Sequence, residues 1–120
     1  MSYVDGFIVA VPKKNLDAYV RLSKKCGKVW REYGALDYRE WVADDVKVGK
    51  LTSFPRSVKL KPGETVIFAW ITYKSRAQRE KINAKVMSDP RLKSIMGSEA
   101  KPPFDGKRMI YGGFESLVKV

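Results

Sequence analysis

Two segments of the chain are apolar on both sides of an extended strand, and this feature limits the possible folds most. One segment runs from Thr65 to Tyr73 and the other from Ser2 to Val11. In each, both alternating sets of side chains are apolar, namely Ile67, Ala69 and Ile71 against Phe68 and Trp70, and Phe7, Val9 and Val11 against Val4, Ile8 and Ala10. Because such a strand is buried on both faces, we expect both segments at the centre of a sheet.

Helical patterns follow each of these two strands. From Asn15 to about Tyr33, apolar residues recur at helical spacing, and Asn15 is expected to cap the helix start. Ser75 and Gln78 form a capping box that predicts the start of a second helix. Asp89-Pro90 predicts the start of a third, short helix.

Two further strands complete the pattern. They are predicted at Ala35 to Ala43, whose mixed polarity favours a sheet edge, and at Arg108 to Val118. The order strand, helix, strand, strand, helix, strand is the ferredoxin-like βαββαβ pattern, an α+β fold. It predicts a four-stranded antiparallel sheet with the helices on one face. The length, 120 residues, suits a single domain over residues 1–120.

The sheet face away from the helices has no predicted cover within the chain. It would expose Phe68 and Trp70 of a central strand. Exposed apolar patches of that size are uncommon on monomers. We therefore expect the chain to pair with itself, as a homodimer in contact through Phe68 and Trp70.

The composition excludes several kinds of chemistry. The chain has no histidine and a single cysteine, Cys26. These facts exclude Ser-His and Cys-His nucleophile pairs and a Cys/His zinc site. Asp44 and Asp45 are typical of a solvated turn, so neither a metal site nor a cofactor is indicated. The chain has no long apolar run and no secretory pattern, and a cytoplasmic location is expected.

The two long predicted helices carry most of a net charge of +11. Because both lie on one face of the predicted fold, they would form a broad positive surface that includes Lys24, Lys28 and Arg79. One interpretation is nucleic-acid binding through phosphates. The other is a solvated face that keeps the protein in solution.

Several motifs, spread over most of the chain, resemble one bacterial family. They are Tyr3-Val4-Asp5-Gly6-Phe7, Asp44-Asp45, Thr52-Ser53-Phe54, Asp89-Pro90-Arg91 and the stretch from Phe104 to Phe114. Through these motifs, the chain resembles the YbaA-like family of unknown function. The resemblance implies membership of the dimeric α+β barrel superfamily, whose ferredoxin-like subunits pair through their sheets. Some family members carry a Cys-Trp pair after the glutamate of the second strand, where this chain has Trp41-Val42 after Glu40.

The candidate site combines polar residues of these motifs with Glu40 of the second strand and with Tyr38, an aromatic residue of a kind that stacks on planar ligands. Ligand-binding candidates are Asp5, Tyr38, Glu40, Asp105, Arg108 and Tyr111. They are predicted to line a cavity for a small organic molecule. In one interpretation the protein only binds this molecule, and in another it also converts it. The alternative is a structural network in which Arg108 pairs with a nearby acid. Arg108 and Tyr111 meet only if Gly112-Gly113 bends the last strand; in a regular strand, Tyr111 alone faces the cavity.

Overall fold

Four antiparallel strands form a single sheet. They are β1 (Tyr3–Pro12), β2 (Asp37–Val42), β3 (Glu64–Tyr73) and β4 (Ile110–Glu115). In the computed structural model, which describes residues 2–96 and 102–120, their order across the sheet is β2-β3-β1-β4. The two doubly apolar strands, β1 and β3, therefore lie at the centre, and this prediction is confirmed.

The principal helices lie on one face of this sheet, which confirms the ferredoxin-like α+β fold. They are α1 (Leu16–Glu32), α3 (Arg76–Ser88) and α4 (Pro90–Met96), while α2 (Phe54–Ser57) is a single turn in the loop between β2 and β3. One core joins Ile71 and Tyr73 of β3 to Val29 of α1, Val86 of α3 and Leu92 of α4. None of the helices in the described residues is long and apolar enough to cross a bilayer.

Two predicted helix starts are confirmed, and one predicted cap is wrong. At the start of α4, the Asp89 carboxylate accepts a hydrogen bond of 2.7 Å from the Arg91 backbone N–H. The Ser75 hydroxyl accepts a hydrogen bond of 3.1 Å from the Gln78 backbone N–H at the start of α3, as predicted. The Asn15 side chain makes no cap hydrogen bond to α1. Its amide instead donates to the Pro103 carbonyl at 3.2 Å, so it joins the start of α1 to the loop before β4.

The sheet face opposite the helices is partly covered by the loop after β2. Val58 packs on Ala10 of β1 and Val66 of β3 and is fully buried. Within this loop, α2 is followed by a turn at Val58 and Lys59. The rest of the face stays open, with Phe68 of β3 41% exposed and Phe114 of β4 62% exposed. We call this surface the open face.

The glycines of β1 and β4 lie beneath aromatic rings. Gly6 pairs directly with Gly112, and the Phe114 ring lies over both on the open face. A Cβ on Gly113, which faces the helices, would clash with the Tyr3 phenol. Pairing with β1 stays regular through both glycines, so β4 contains no bulge.

Candidate functional site

A cavity of about 530 Å³ lies between the helices and the sheet. Its floor is the helix-facing side of the sheet, its roof is formed by α1, α3 and α4, and Phe104 and Met109 line it from the loop before β4. Most lining side chains are apolar or aromatic, including Phe7, Val9, Leu22, Trp30, Ala69, Ile71, Met87 and Leu92.

Strand register brings four of the six ligand-binding candidates to this cavity. Glu40 lies opposite Ala69, which lies opposite Phe7, which lies opposite Tyr111, so one row crosses all four strands. In the adjacent row, Tyr38 and Asp5 lie on either side of Ile71. Because side chains alternate along a strand, both rows face the helices. Glu40, Tyr38, Asp5 and Tyr111 all line the cavity.

Glu40 is held by hydroxyl groups. The Tyr19 hydroxyl donates to Oε1 and the Ser23 hydroxyl to Oε2, and Ser23 Oγ lies 3.3 Å from the Tyr38 hydroxyl. Tyr19 and Ser23 are one turn apart on α1, and neither was predicted as a site residue. The sequence feature that could have identified them is the presence of two hydroxyl groups on the otherwise apolar inner face of an amphipathic helix.

Burial shifts the pKa values of Glu40 and of the titratable residues beside it. It raises the pKa of Glu40, while the nearby Tyr19 and Tyr38 hydroxyl groups lower it by a smaller amount. Burial also raises the pKa of the Tyr19 and Tyr38 phenols and of the Cys26 thiol, and the Glu40 charge adds to each shift. Among residues 2–96 and 102–120, the partners of the carboxyl group are therefore neutral donors, and no cation lies against it to stabilise its charge.

A glycine allows α1 to lie close to β2 beside this group. A Cβ added at Gly27 would lie 2.8 Å from the Tyr38 ring, closer than real Cβ contacts. The Tyr38 ring also packs beside Trp30, with ring centroids 6.2 Å apart. Gly27 thus sets the helix–strand distance at which Ser23 reaches Tyr38 and Glu40.

The second carboxylate of the cavity, Asp5, belongs to an ion pair. It is 4% exposed, and it accepts hydrogen bonds from Arg79 Nε at 3.1 Å and Nη2 at 2.8 Å. Arg79 also donates to Glu80 at 2.7 Å and stacks on the Tyr3 ring. Its guanidinium is therefore engaged inside the fold and does not lie on the predicted nucleic-acid surface. Asp5 and Glu40 are two strands apart, about 10 Å, and do not form one carboxylate pair.

Asp105 and Arg108 do not reach the cavity. Arg108 Nη1 and Nη2 donate to the Glu64 carboxylate at 2.9 and 2.6 Å, and Nε donates to Asp105 at 3.1 Å. Arg108 Nη1 also donates to the Lys59 carbonyl at 3.1 Å. The structure places both residues in a network that joins the turn before β4 to the start of β3. Because β4 is regular, Tyr111 faces the cavity and Arg108 does not, as the sequence predicted for a strand without a bend.

The remaining predicted residues lie elsewhere on the molecule. Phe68 and Trp70 are on the open face, where Trp70 Nε1 donates to Asp37 at 3.0 Å. Lys24 and Lys28 are exposed on α1. Nucleic-acid binding stays a prediction, and it would depend on these two lysines but not on Arg79. Within residues 2–96 and 102–120, no three potential metal-ligating side chains lie together.

Solved structures share this architecture. A dimeric ferredoxin-like protein from an uncultured marine organism matches with a TM-score of 0.59 and 12% identity over 100% of both chains. An uncharacterized NIPSNAP domain protein from Burkholderia xenovorans matches with a TM-score of 0.59 and 12% identity over 96% of this chain and 94% of its own. At this level of identity, these similarities establish the fold alone.

Sequence comparisons show a closer relationship. "Uncharacterized protein YbaA" of Escherichia coli strain K12 is 50% identical over 118 residues, which is 98% of each chain. The protein of the same name in Shigella flexneri shows the same values. Residues 2–106 match the family described as "Protein of unknown function (DUF1428)". The resemblance inferred from the motifs is confirmed, and the chain belongs to the DUF1428, YbaA-like family.

Proposed function

We propose that the chain binds a small, largely apolar organic molecule in the cavity between α1 and the sheet. The observation that carries this proposal is a space of about 530 Å³ in which apolar walls surround the Glu40 carboxyl group, while the Asp5 carboxylate is paired with Arg79. Pockets for small organic ligands have volumes of roughly 300–1,000 Å³ and combine apolar walls with a few polar groups.

The polar groups of the cavity lie at two different places. Glu40 and Tyr38 lie at the β2 end, and exposed Tyr111 lies on the edge strand β4, where the cavity meets solvent. The Tyr111 ring stacks on Phe7 with centroids 6.1 Å apart. A planar ligand that enters past Tyr111 would lie against aromatic rings and meet Glu40 with its polar group. A carboxyl group with a raised pKa also suits proton transfer to or from such a ligand.

Two methionine methyl groups allow a direct test. Met87 and Met109 line the cavity from opposite sides, one on α3 and one in the loop before β4. The protein, labelled with ¹³C at its methionine and leucine methyl groups, would be titrated with indole, a neutral aromatic molecule. We expect saturable shifts of the Met87 and Met109 methyl signals and contacts between them and indole protons. The methyl groups of Leu51 and Leu117, both highly exposed, are reporters of non-specific binding.

A matched pair of variants on β3 controls for effects outside the cavity. Ala69→Ile adds bulk on the cavity side, and Thr72→Ile adds bulk on the open face. We expect Ala69→Ile to weaken indole binding at least tenfold, and Thr72→Ile to leave it unchanged. Absence of shifts at Met87 and Met109 with millimolar indole would contradict the proposal.

We propose further that the chain is a homodimer whose two copies cover each other's open face. Support comes from the exposed aromatic residues Phe68, Trp41 and Phe114 on that face. The marine structure of the same fold is described as dimeric, which agrees with such pairing. In this arrangement Phe68 and Trp70 lie at the interface, and the cavity lies on the other side of each sheet.

A further inference from the structure

The charges that line the cavity do not cancel. Asp5 and Arg79 form a pair, and the Arg39 side chain is paired with Asp37 at 3.1 Å. In the described residues, no lysine or arginine pairs with Glu40, whose partners are hydroxyl groups. Lys93, the remaining charged side chain of the lining, is exposed on α4 and therefore solvated. Inside the cavity, one acidic group thus remains without a counter-charge.

Glu40 also retains capacity to accept hydrogen bonds. A carboxylate offers about four acceptor positions. Tyr19 occupies one on Oε1 and Ser23 one on Oε2. A ligand with N–H donors can use the others, and a positively charged donor forms stronger hydrogen bonds to a carboxylate than a neutral one does.

Tyr19 and Tyr38 lie beside this carboxyl group, and each packs against a further aromatic ring. Tyr19 makes an edge-on contact with Phe104, with centroids 5.6 Å apart, and Tyr38 packs beside Trp30. All four residues line the cavity. Faces of aromatic rings attract organic cations, most strongly where water is excluded.

We propose that the ligand of this cavity is an organic ammonium ion with an apolar body, and that Glu40 is the residue that selects its charge. This proposal rests on the proposed function, because it concerns the polar group of the same bound molecule. The ammonium group lies at Glu40 between the rings of Tyr19 and Tyr38, and the apolar body extends toward Phe7 and Tyr111. An anionic ligand of the same shape would face the Glu40 carboxylate and bind more weakly.

The net charge of +11 does not oppose this selection at close range. Much of it lies on exposed lysines such as Lys24 and Lys28 on α1. At physiological ionic strength, interactions between exposed charges are screened beyond about 8 Å. Glu40 contacts the ligand directly and is screened much less.

Three probes of similar size and different charge test the proposal, namely benzylamine, benzyl alcohol and benzoate. Each is titrated at pH 7 into the full chain, with the Met87 and Met109 methyl shifts as the readout. We expect benzylamine to bind at least tenfold more tightly than benzyl alcohol, and benzoate most weakly. In Glu40→Gln, benzylamine should lose at least tenfold in affinity while benzyl alcohol changes less than threefold. Asp45→Asn, which removes an exposed carboxylate outside the cavity, is the matched control and should leave all three affinities unchanged.

The outcomes separate this inference from the proposed function. If none of the three probes shifts Met87 or Met109, the cavity is not a ligand site and both proposals fail. If benzyl alcohol or benzoate binds as tightly as benzylamine, the ammonium proposal fails and the cavity remains a ligand site. If the preference for benzylamine persists in Glu40→Gln, Glu40 does not select the charge. The ranking of probes on the unmodified chain decides the first two outcomes even if the variant does not fold.

Discussion

Glu40 lies in a cavity wall, and in the part of the chain that the structure describes its carboxyl group is bound by hydroxyl groups and not by a cation. Burial disfavours its charged form and raises its pKa above the ordinary 4.5. The titratable groups that face it are Tyr19 and Cys26 of α1 and Tyr38 of β2, while β3 presents the apolar Ala69. Burial raises the pKa of all three, so they stay protonated through the range where Glu40 titrates.

This raised pKa predicts a pH-dependent cost of folding. The folded state holds the Glu40 proton to a higher pH than the unfolded state, so stability falls as the pH rises from about 4.5 through the folded pKa. Glu40→Gln removes that proton equilibrium. We expect the free energy of unfolding of the variant, relative to the unmodified chain, to increase over this window and then level off. Urea unfolding between about pH 4 and pH 8, at one protein concentration, measures the difference.

The exposed residue Asp45 provides the comparison. Asp45→Asn removes a carboxylate outside the cavity and controls for the general effect of losing one negative charge. A difference between Glu40→Gln and the unmodified chain that is constant with pH, or that shrinks as the pH rises, would contradict a raised pKa at Glu40.

At the scale of elements, Arg108 connects segments that are distant in the sequence. It joins the turn before β4 to the Lys59 carbonyl after α2 and to Glu64 at the start of β3. The bidentate contact with Glu64 uses the planar fork of the guanidinium. The arrangement indicates a structural role, in which Arg108 holds the loop before β4 against the sheet.

A conservative substitution tests this role. Arg108→Lys keeps the charge but loses the planar fork, so we expect a lower Tm with indole affinity at Met87 and Met109 unchanged. Arg39→Lys, which alters an exposed ion pair with Asp37, is the control and should change the Tm little. An unchanged Tm together with weaker indole binding would indicate a ligand-binding role for Arg108 instead.

At the scale of the whole molecule, the open face bears aromatic residues that the chain itself only partly covers. Phe68 packs against Phe54 and Trp70, with ring centroids 5.9 and 5.7 Å apart, yet remains 41% exposed. Burial of such rings stabilises an association by about 25 cal/mol per Å² of apolar area before the costs of association are subtracted. A second copy of the chain would cover these rings.

Phe68→Arg is therefore expected to convert a dimer into a folded monomer. Light scattering at micromolar concentration should give twice the chain mass of 13.7 kDa for the unmodified protein and the single mass for the variant. Val20→Arg on α1 is a matched control, because Val20 is 42% exposed on the helical side of the molecule, and it should leave the dimer intact. A monomeric unmodified chain would refute the pairing.

The sequence by itself determined the four strands and the principal helices, their order and the central position of β1 and β3. These features depend on local periodicity and on the apolar character of residues such as Ile67, Phe68 and Trp70. Both are properties of the sequence alone. It also determined the Ser75 cap, because a capping box involves residues three apart. Of the candidate site, it selected Glu40, Tyr38, Asp5 and Tyr111, which do line one cavity.

Only the tertiary structure decided which charged and polar groups meet. Asp5 and Arg79 are 74 residues apart, and Glu64 and Arg108 are 44 apart. Nothing in the sequence ranks these pairs above others, since any exposed acid can pair with any base until packing fixes the distances. Glu40 meets Tyr19 and Ser23 because Gly27 allows α1 to approach β2 closely, and that distance is a property of the packed helix and sheet.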